Sequence, residues 1–276
     1  MTPFETWKPG TPPAALSEAL FGGALVVFEG QASISAVANR ARDLVEAVFG
    51  TDAPERAESV LDAETFRNAV RTARRAVAAD KTIADAWRHT LSEIGYAPET
   101  TFGDRLRLRI VPSNKTVRSA NATPLDAHRD NWGSGIAAQI NWWLPLYPLS
   151  ASRTMLLWPA LFEQEVANTS AEWDFEAMRA AHRAGTPYPR LPVAVQSPDE
   201  TDAVPVLLQP GKLLAFSAAH LHASRADASG TTRFSLDTRT YWQADIDGDR
   251  GAVNTDGASR PPQWSWFECI GAGTDD

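Results

Sequence analysis

Short β-prone runs punctuated by Pro and Gly, following a helical first hundred residues, predict a mainly β fold with helices. The expected architecture is a double-stranded β-helix, or jelly roll, behind an N-terminal helical region. Two further observations support it. Arg105-Leu106-Arg107-Leu108-Arg109-Ile110-Val111 alternates strictly, the mark of a strand with two unlike faces. After it, strand-like runs recur over 137–146, 154–158, 204–209, 212–217 and 233–242, short and punctuated by Pro and Gly, which suggests an antiparallel jelly roll rather than a βαβ sheet.

Taken in order, the opening to about Leu16 is rich in Pro and Thr and is expected to wrap over a surface. Ala24 to Phe28 is an apolar run ended by Gly30, a buried strand. Ser33 is the expected N-cap of a helix in which Ile34, Val37, Ala41, Leu44 and Val48 share a face and Gly50 is the stop. Further helices are expected over 62–79 and 82–94, the second closed by Gly95 and Pro98. The chain then divides into a mainly helical part (1–103), jelly-roll strands (104–158 and 192–245), an insertion or lid (159–191) and a C-terminal tail (246–276), all within one domain. Within the insertion, Asn168-Thr169-Ser170 is the expected start of a helix over 171–184.

Composition narrows the function. The net charge of −8 disfavours nucleic acid, whose binding rests on Lys and Arg neutralising phosphates, and mildly favours neutral or cationic partners. Cys269 is the single cysteine, so neither a disulfide framework nor a Cys-rich zinc site can form, and a reducing cytoplasm is the simplest setting. No signal peptide or membrane-spanning run is visible.

The chemistry lies in two stretches. Leu125-Asp126-Ala127-His128-Arg129-Asp130 holds a His-x-Asp step, which on a strand points both side chains to one face. About ninety residues on, His220-Leu221-His222 supplies a third imidazole and Thr232-Arg233-Phe234-Ser235 an arginine. Two histidines and a carboxylate on one face of an octahedral ion leave three open positions, an arrangement suited to Fe(II). Arg233 can anchor a carboxylate through paired hydrogen bonds. Alone, His-x-Asp carries little weight in a chain with five histidines; joined to a later His and a strand-borne Arg it carries more. Either His220 or His222 satisfies the residue types. Gln139 and Asn141 share a face of the next strand and are candidate donors to co-substrate or substrate. Arg105, Arg107 and Arg109 are read as a solvated strand face, and Arg239 as a charge paired to Asp237 or facing solvent.

From Arg105 to Trp242 the chain resembles the Fe(II)/2-oxoglutarate dioxygenases of the phytanoyl-CoA hydroxylase-like branch. The resemblance implies His128, Asp130 and His222 as metal ligands, His222 being selected because Ser229 and Arg233 then fall on the family's spacing. It implies Arg233 and Ser235, an Arg-x-Ser pair, on the far carboxylate of 2-oxoglutarate. Asp227 stands where the family favours Asn. Asp130 favours hydroxylation-type chemistry, since related halogenases carry a small residue there.

The runs His128-Arg129-Asp130-Asn131-Trp132-Gly133-Ser134, Gln139-Ile140-Asn141-Trp142-Trp143 and Asn168-Thr169-Ser170-Ala171 are similar to oxygenases of aminoglycoside antibiotic pathways, including those of the streptomycin and hygromycin B clusters. This implies O2 as oxidant and a small amine-bearing sugar or cyclitol as substrate. Hydroxylation and oxidative ring or orthoester closure are the expected outcomes. Glu163, Glu165, Glu172, Asp174 and Glu176 of the insertion are candidate partners for its ammonium groups, and no basic cluster is evident that would hold the phosphates of an acyl-CoA. The alternative is a metal-binding cupin-like isomerase or sensor, which has no need of a diacid anchor.

Overall fold

The computed structural model describes residues 3–119, 122–225, 229–258 and 260–272. The elements in chain order begin with β1 (Phe4–Thr6), α1 (Pro13–Phe21), β2 (Leu25–Phe28), α2 (Ala32–Phe49), α3 (Ala63–Ala79) and α4 (Lys81–Ile94). Next come β3 (Thr101–Gly103), β4 (Arg107–Val111), α5 (Asn131–Ser134), β5 (Ile140–Pro145), β6 (Met155–Leu157) and α6 (Phe175–Ala184). The last are β7 (Val204–Pro205), β8 (Leu213–Ser217), β9 (His222–Ser224), β10 (Arg233–Trp242), α7 (Gln243–Asp247) and β11 (Glu268–Cys269).

Two sheets result. The major sheet runs β1-β2-β8-β5-β10-β3-β11, with β4 also on β10; the minor sheet runs β7-β6-β9. Among the described residues every strand pairing is antiparallel except the parallel β1–β2 pair. Side-chain alternation decides what each face of the major sheet meets. Val26, Phe28, Trp142, Leu144, Phe234 and Leu236 point to a core built with α1 to α4. Leu25, Val27, Trp143, Leu214 and Phe216 point the other way and pack with Met155 and Leu157 of the minor sheet. The major sheet is thus sandwiched between helices and a smaller sheet, the expected jelly-roll class.

The helices form where the 3.6-residue period and the caps agree. Asp62 accepts from the Glu64 and Thr65 amides to start α3, and Asp80 accepts from Ile83 to start α4. Gly50 and Gly95 take the left-handed conformation, at φ 67° and 109°, that ends α2 and α4. Some expectations fail locally. The Pro-rich opening contains helix α1, because Pro13 occupies a first-turn position that needs no N–H while Leu16 and Leu20 are buried. Gln31 rather than Ser33 precedes α2, and the Ser33 hydroxyl binds Glu93 instead of capping. The strand expected over 204–209 is ordered as a strand only at Val204–Pro205. The insertion helix begins at Phe175 with Asp174 as its cap, since Asn168 instead turns back on the Ser170 amide. Among the described residues no helix is long and apolar enough to cross a membrane.

Candidate metal centre and co-substrate pocket

His128 and His222 meet as a directly opposed antiparallel pair. The His128 amide donates to the His222 carbonyl at 3.0 Å and the His222 amide returns the bond at 2.9 Å. Residues so paired project to the same side of the sheet, and the ring centroids lie 4.2 Å apart. Asp130 arrives differently from the strand geometry expected. It sits in helical conformation (φ −68°, ψ −31°) at the head of α5, and this turn carries its carboxylate back toward the rings. Its oxygens lie 3.9 Å from Nε2 of each histidine, and the three ligand atoms all fall within 4.8 Å of one another.

Both imidazoles are oriented for this. His128 Nδ1 lies 2.7 Å from the Asp126 carbonyl and His222 Nδ1 3.0 Å from that of His220. A carbonyl only accepts, so Nδ1 carries the proton and the Nε2 lone pair faces the gap. Burial, with the neighbouring His222, holds the His128 pKa well below its ordinary value, so the ring is neutral. Burial works against the charge of Asp130, but the Arg239 guanidinium, helped by the Asn141 hydrogen bond, offsets it, and the carboxyl stays below the usual carboxylate range. Its Oδ2 also accepts from Asn141 Nδ2 at 2.6 Å, and Asn141 Oδ1 accepts from Gln139 Nε2 at 2.9 Å. Gln139 is fully buried behind Asn141, so the pair forms a relay that holds the aspartate.

His220 is placed elsewhere. It is fully buried against Phe162 (4.5 Å) and Phe216 (6.0 Å), with Nε2 3.2 Å from the Gly23 carbonyl. It is a core histidine, and burial pushes its pKa down to about 4. Its backbone carbonyl, not its ring, serves the site. Arg129, inside the His-x-Asp step, faces away and donates to the carbonyls of Leu161, Phe162, Gln164 and Ala219. It fastens the insertion to the metal loop. Trp132 Nε1 and Asn168 Nδ2 both bond to Asp256, through its side chain and its carbonyl respectively, so these motif residues also hold the insertion in place.

Arg233 opens β10 on the face between the sheets. Its Nη2 donates to Ser224 Oγ on β9 at 3.1 Å, while Nε and Nη1 are buried without a partner. Burial, with Arg109 nearby, pushes its pKa down to about 9. A buried guanidinium with idle donors costs several kcal/mol unless an anion completes it. Ser235, two residues along on the same face, is fully buried and its hydroxyl also lacks a partner. Ser224 was not singled out in the sequence, although it alternates with His222 and therefore shares its face of the strand.

One cavity of about 720 Å³ joins the three metal-ligand side chains to Arg233 and Ser224, while Ser235 is not among the residues that line it. His128, Asp130, His222, Asn141, Ser224 and Arg233 line its inner part with Trp143, Met155 and Phe216; Met178, Arg179 and His182 of α6 border it from the insertion. Two readings of the arginines need correction. Arg107 and Arg109 line the cavity, because the alternation of β4 turns its arginine face into the space between the sheets. Arg239 pairs with Asp104, not Asp237, its Nε at 2.7 Å, and stacks 5.3 Å above Trp266. Asp237 instead accepts from Arg109 at 2.8 Å. Glu163, Glu165, Glu172, Asp174 and Glu176 are exposed on the insertion and are not among the residues lining the cavity. Asp227 lies outside the described residues.

No family model and no curated protein matches the chain. Among solved structures it is similar to EvdO2 from Micromonospora carbonacea var. aurantiaca, at 12% identity and a TM-score of 0.39, covering 67% of this chain and 65% of that one. The chain thus spans just under two thirds of that protein's length. It is also similar to a non-heme monooxygenase, the ThoJ–Ni complex (18% identity, 75% and 69% covered, TM-score 0.37). A third is EctD from S. alaskensis, solved with 2-oxoglutarate and 5-hydroxyectoine (16% identity, 94% and 85% covered, TM-score 0.44). At these values the functional reading rests on the site itself.

Proposed function

We propose that this chain is an Fe(II)/2-oxoglutarate-dependent oxygenase of a small polar metabolite, using O2 as oxidant. One observation carries the reading. Three open ligand atoms and an arginine with two idle buried nitrogens meet in a single cavity. The donor set fits the metal: two imidazoles whose Nε2 atoms face the gap and one carboxylate suit Fe(II) and leave positions open on it. A metal centre alone would equally suit an isomerase or sensor; the unfilled guanidinium beside it calls for an anionic co-substrate.

His128, Asp130 and His222 would hold the metal, and Arg233 the far carboxylate of 2-oxoglutarate, with Ser235 assisting. When bound, iron and 2-oxoglutarate supply the O2-activating chemistry, in which the co-substrate loses CO2 and becomes succinate. The protein's own residues position these parts. The Asp126 and His220 carbonyls fix the imidazole tautomers, Asn141 and Arg239 fix the carboxylate, and Trp143 and Phe216 give the inner cavity apolar walls. Gln139 acts through Asn141. For the substrate skeleton we carry forward the aminoglycoside or aminocyclitol intermediate that the sequence resemblance implies, in a cytoplasmic setting, with hydroxylation or oxidative ring or orthoester closure as outcome.

The test is a calorimetric titration of 2-oxoglutarate into protein loaded with Mn(II), a redox-quiet stand-in for Fe(II). Tight binding that needs the metal is expected. Metal uptake with no 2-oxoglutarate binding would favour the isomerase or sensor instead.

A further inference from the structure

We propose that the outer half of the cavity is an apolar subsite for an aryl or alicyclic ring of the substrate, formed by Phe175 and Met178 of α6 with Tyr188 and Trp266. The inference rests on the oxygenase reading in one respect: 2-oxoglutarate occupies the inner end beside Arg233, so the outer end is left to the substrate.

Helix α6 supplies the first observation. Phe175, Met178, Arg179 and His182 all line the cavity, and their spacing of i, i+3, i+4 and i+7 is one face of a helix. Yet no residue of α6 is buried, and Phe175 and Met178 are half-buried. A helix of 10 residues is marginal alone and is ordinarily held by burying its apolar face. Here that face meets a cavity in place of a core. Two other segments complete the wall. The Tyr188 hydroxyl accepts from the Asp174 amide at 2.9 Å, which ties this ring to the head of α6. Trp266, from the C-terminal segment, packs 4.7 Å from Phe175 and 6.4 Å from the buried Trp173. Its other support is Arg239, 5.3 Å above the indole.

The charges of the lining are the second observation, because outside the Arg233 site they are already matched. Its carboxylates are Asp104, Asp130 and Asp237. Asp104 accepts from Arg239 at 2.7 Å and meets Arg107 at 3.0 Å, Asp130 lies 3.8 Å from Arg239, and Asp237 accepts from Arg109 at 2.8 Å. Arg179 meets Glu176 at 3.4 Å and sits over the Phe175 ring, and Arg190 is also partnered. A charged group arriving at the outer end would have to break one of these pairs, whereas the idle nitrogens of Arg233 need nothing broken. What the outer end offers without rearrangement is aromatic and thioether surface. Flat rings gain there from apolar burial and from edge or offset stacking, and the C–H face of a saturated ring from the burial alone. The space suffices: about 720 Å³ lies within the range of sites that enclose whole small-molecule ligands, and a small diacid fills only part of it. With its ring on this wall, the remainder of the substrate extends past Trp143 toward the metal ligands.

The experiment titrates phenyl, cyclohexyl and methyl β-glucosides and glucosamine into Mn(II)-loaded protein at saturating 2-oxoglutarate, by calorimetry at several temperatures. At least one of the two ring-bearing glucosides should bind about tenfold or more tightly than methyl glucoside or glucosamine, the tighter of the two identifying the ring type. Its binding should show a negative heat-capacity change and little dependence on salt. Phe175→Ala combined with Met178→Ala should reduce that affinity about tenfold or more, while 2-oxoglutarate affinity stays within about twofold. Met178→Leu, which keeps the apolar bulk, should retain it. Ring-bearing glucosides that bind no better than methyl glucoside or not at all in the millimolar range, preference for glucosamine, or undiminished binding by the double variant would each overturn the proposal. Absence of 2-oxoglutarate binding in the wild-type protein would instead strike the oxygenase reading, with ring binding still measurable on its own.

Discussion

Replacing Arg233 by Met should move stability and ligand binding in opposite directions. At pH 7 the guanidinium is charged in both the folded and unfolded chain. The fall of its pKa from the ordinary value to about 9 therefore reflects how strongly the folded surroundings disfavour that charge. At 1.36 kcal/mol per unit this is about 5 kcal/mol, an order-of-magnitude figure. The cause is visible: one hydrogen bond, to Ser224, against two idle nitrogens in a site only 3% exposed. A Met of similar length keeps the packing on Trp143 and removes the charge, so the ligand-free protein should gain about 1–4 kcal/mol in denaturant titrations. The same change should weaken 2-oxoglutarate by about 2–5 kcal/mol, about 30-fold to several thousand-fold, in calorimetry on the Mn(II)-loaded protein. Arg233→Lys should recover part of the affinity, because an ammonium cannot form the paired bonds. Unchanged 2-oxoglutarate affinity in Arg233→Met would refute the assignment, whatever happened to stability.

Three further outcomes follow from the geometry. His222→Ala should abolish most metal binding, while His220→Gln should retain it, as read by metal content after dialysis; the reverse pattern would exchange their roles. Asn141→Leu should lower metal affinity about 10- to 100-fold by freeing the Asp130 carboxylate, and Gln139→Leu should have a smaller effect because it acts one bond further back. His220 is held neutral by burial, so the unfolded chain takes up its proton first as pH falls from the ordinary value of 6.5 toward about 4. Stability from this group is complete above pH 6.5 and lost across that window, up to about 3 kcal/mol, and His220→Gln should flatten the loss seen in urea unfolding between pH 7 and 4.5.

The fold was legible where one period dominates a long run. Phe66, Val70, Ala73 and Val77 mark the buried face of α3, and β10 spans the 233–242 run because both of its faces are specified. It was illegible where tertiary partners decide. Asp130 faces the histidines through a turn at the head of α5, which a two-residue spacing cannot distinguish from a strand. The same holds for Trp132 and Asn168: their motif spacing signals attachment of the insertion to Asp256, so it carries less information about substrate than its wording suggests. His220 and His222 were separable only by what surrounds them, two aromatic rings in one case and an opposed histidine in the other.

The most direct measurement is aerobic incubation of the Fe(II)-loaded protein with 2-oxoglutarate, followed by quantification of succinate. Oxygenase function predicts succinate that depends on both iron and O2, rises when a true substrate is supplied, and disappears in His128→Ala and Asp130→Ala. Protein that binds iron and 2-oxoglutarate yet forms no succinate, with any amine-bearing or ring-bearing sugar present, would contradict it.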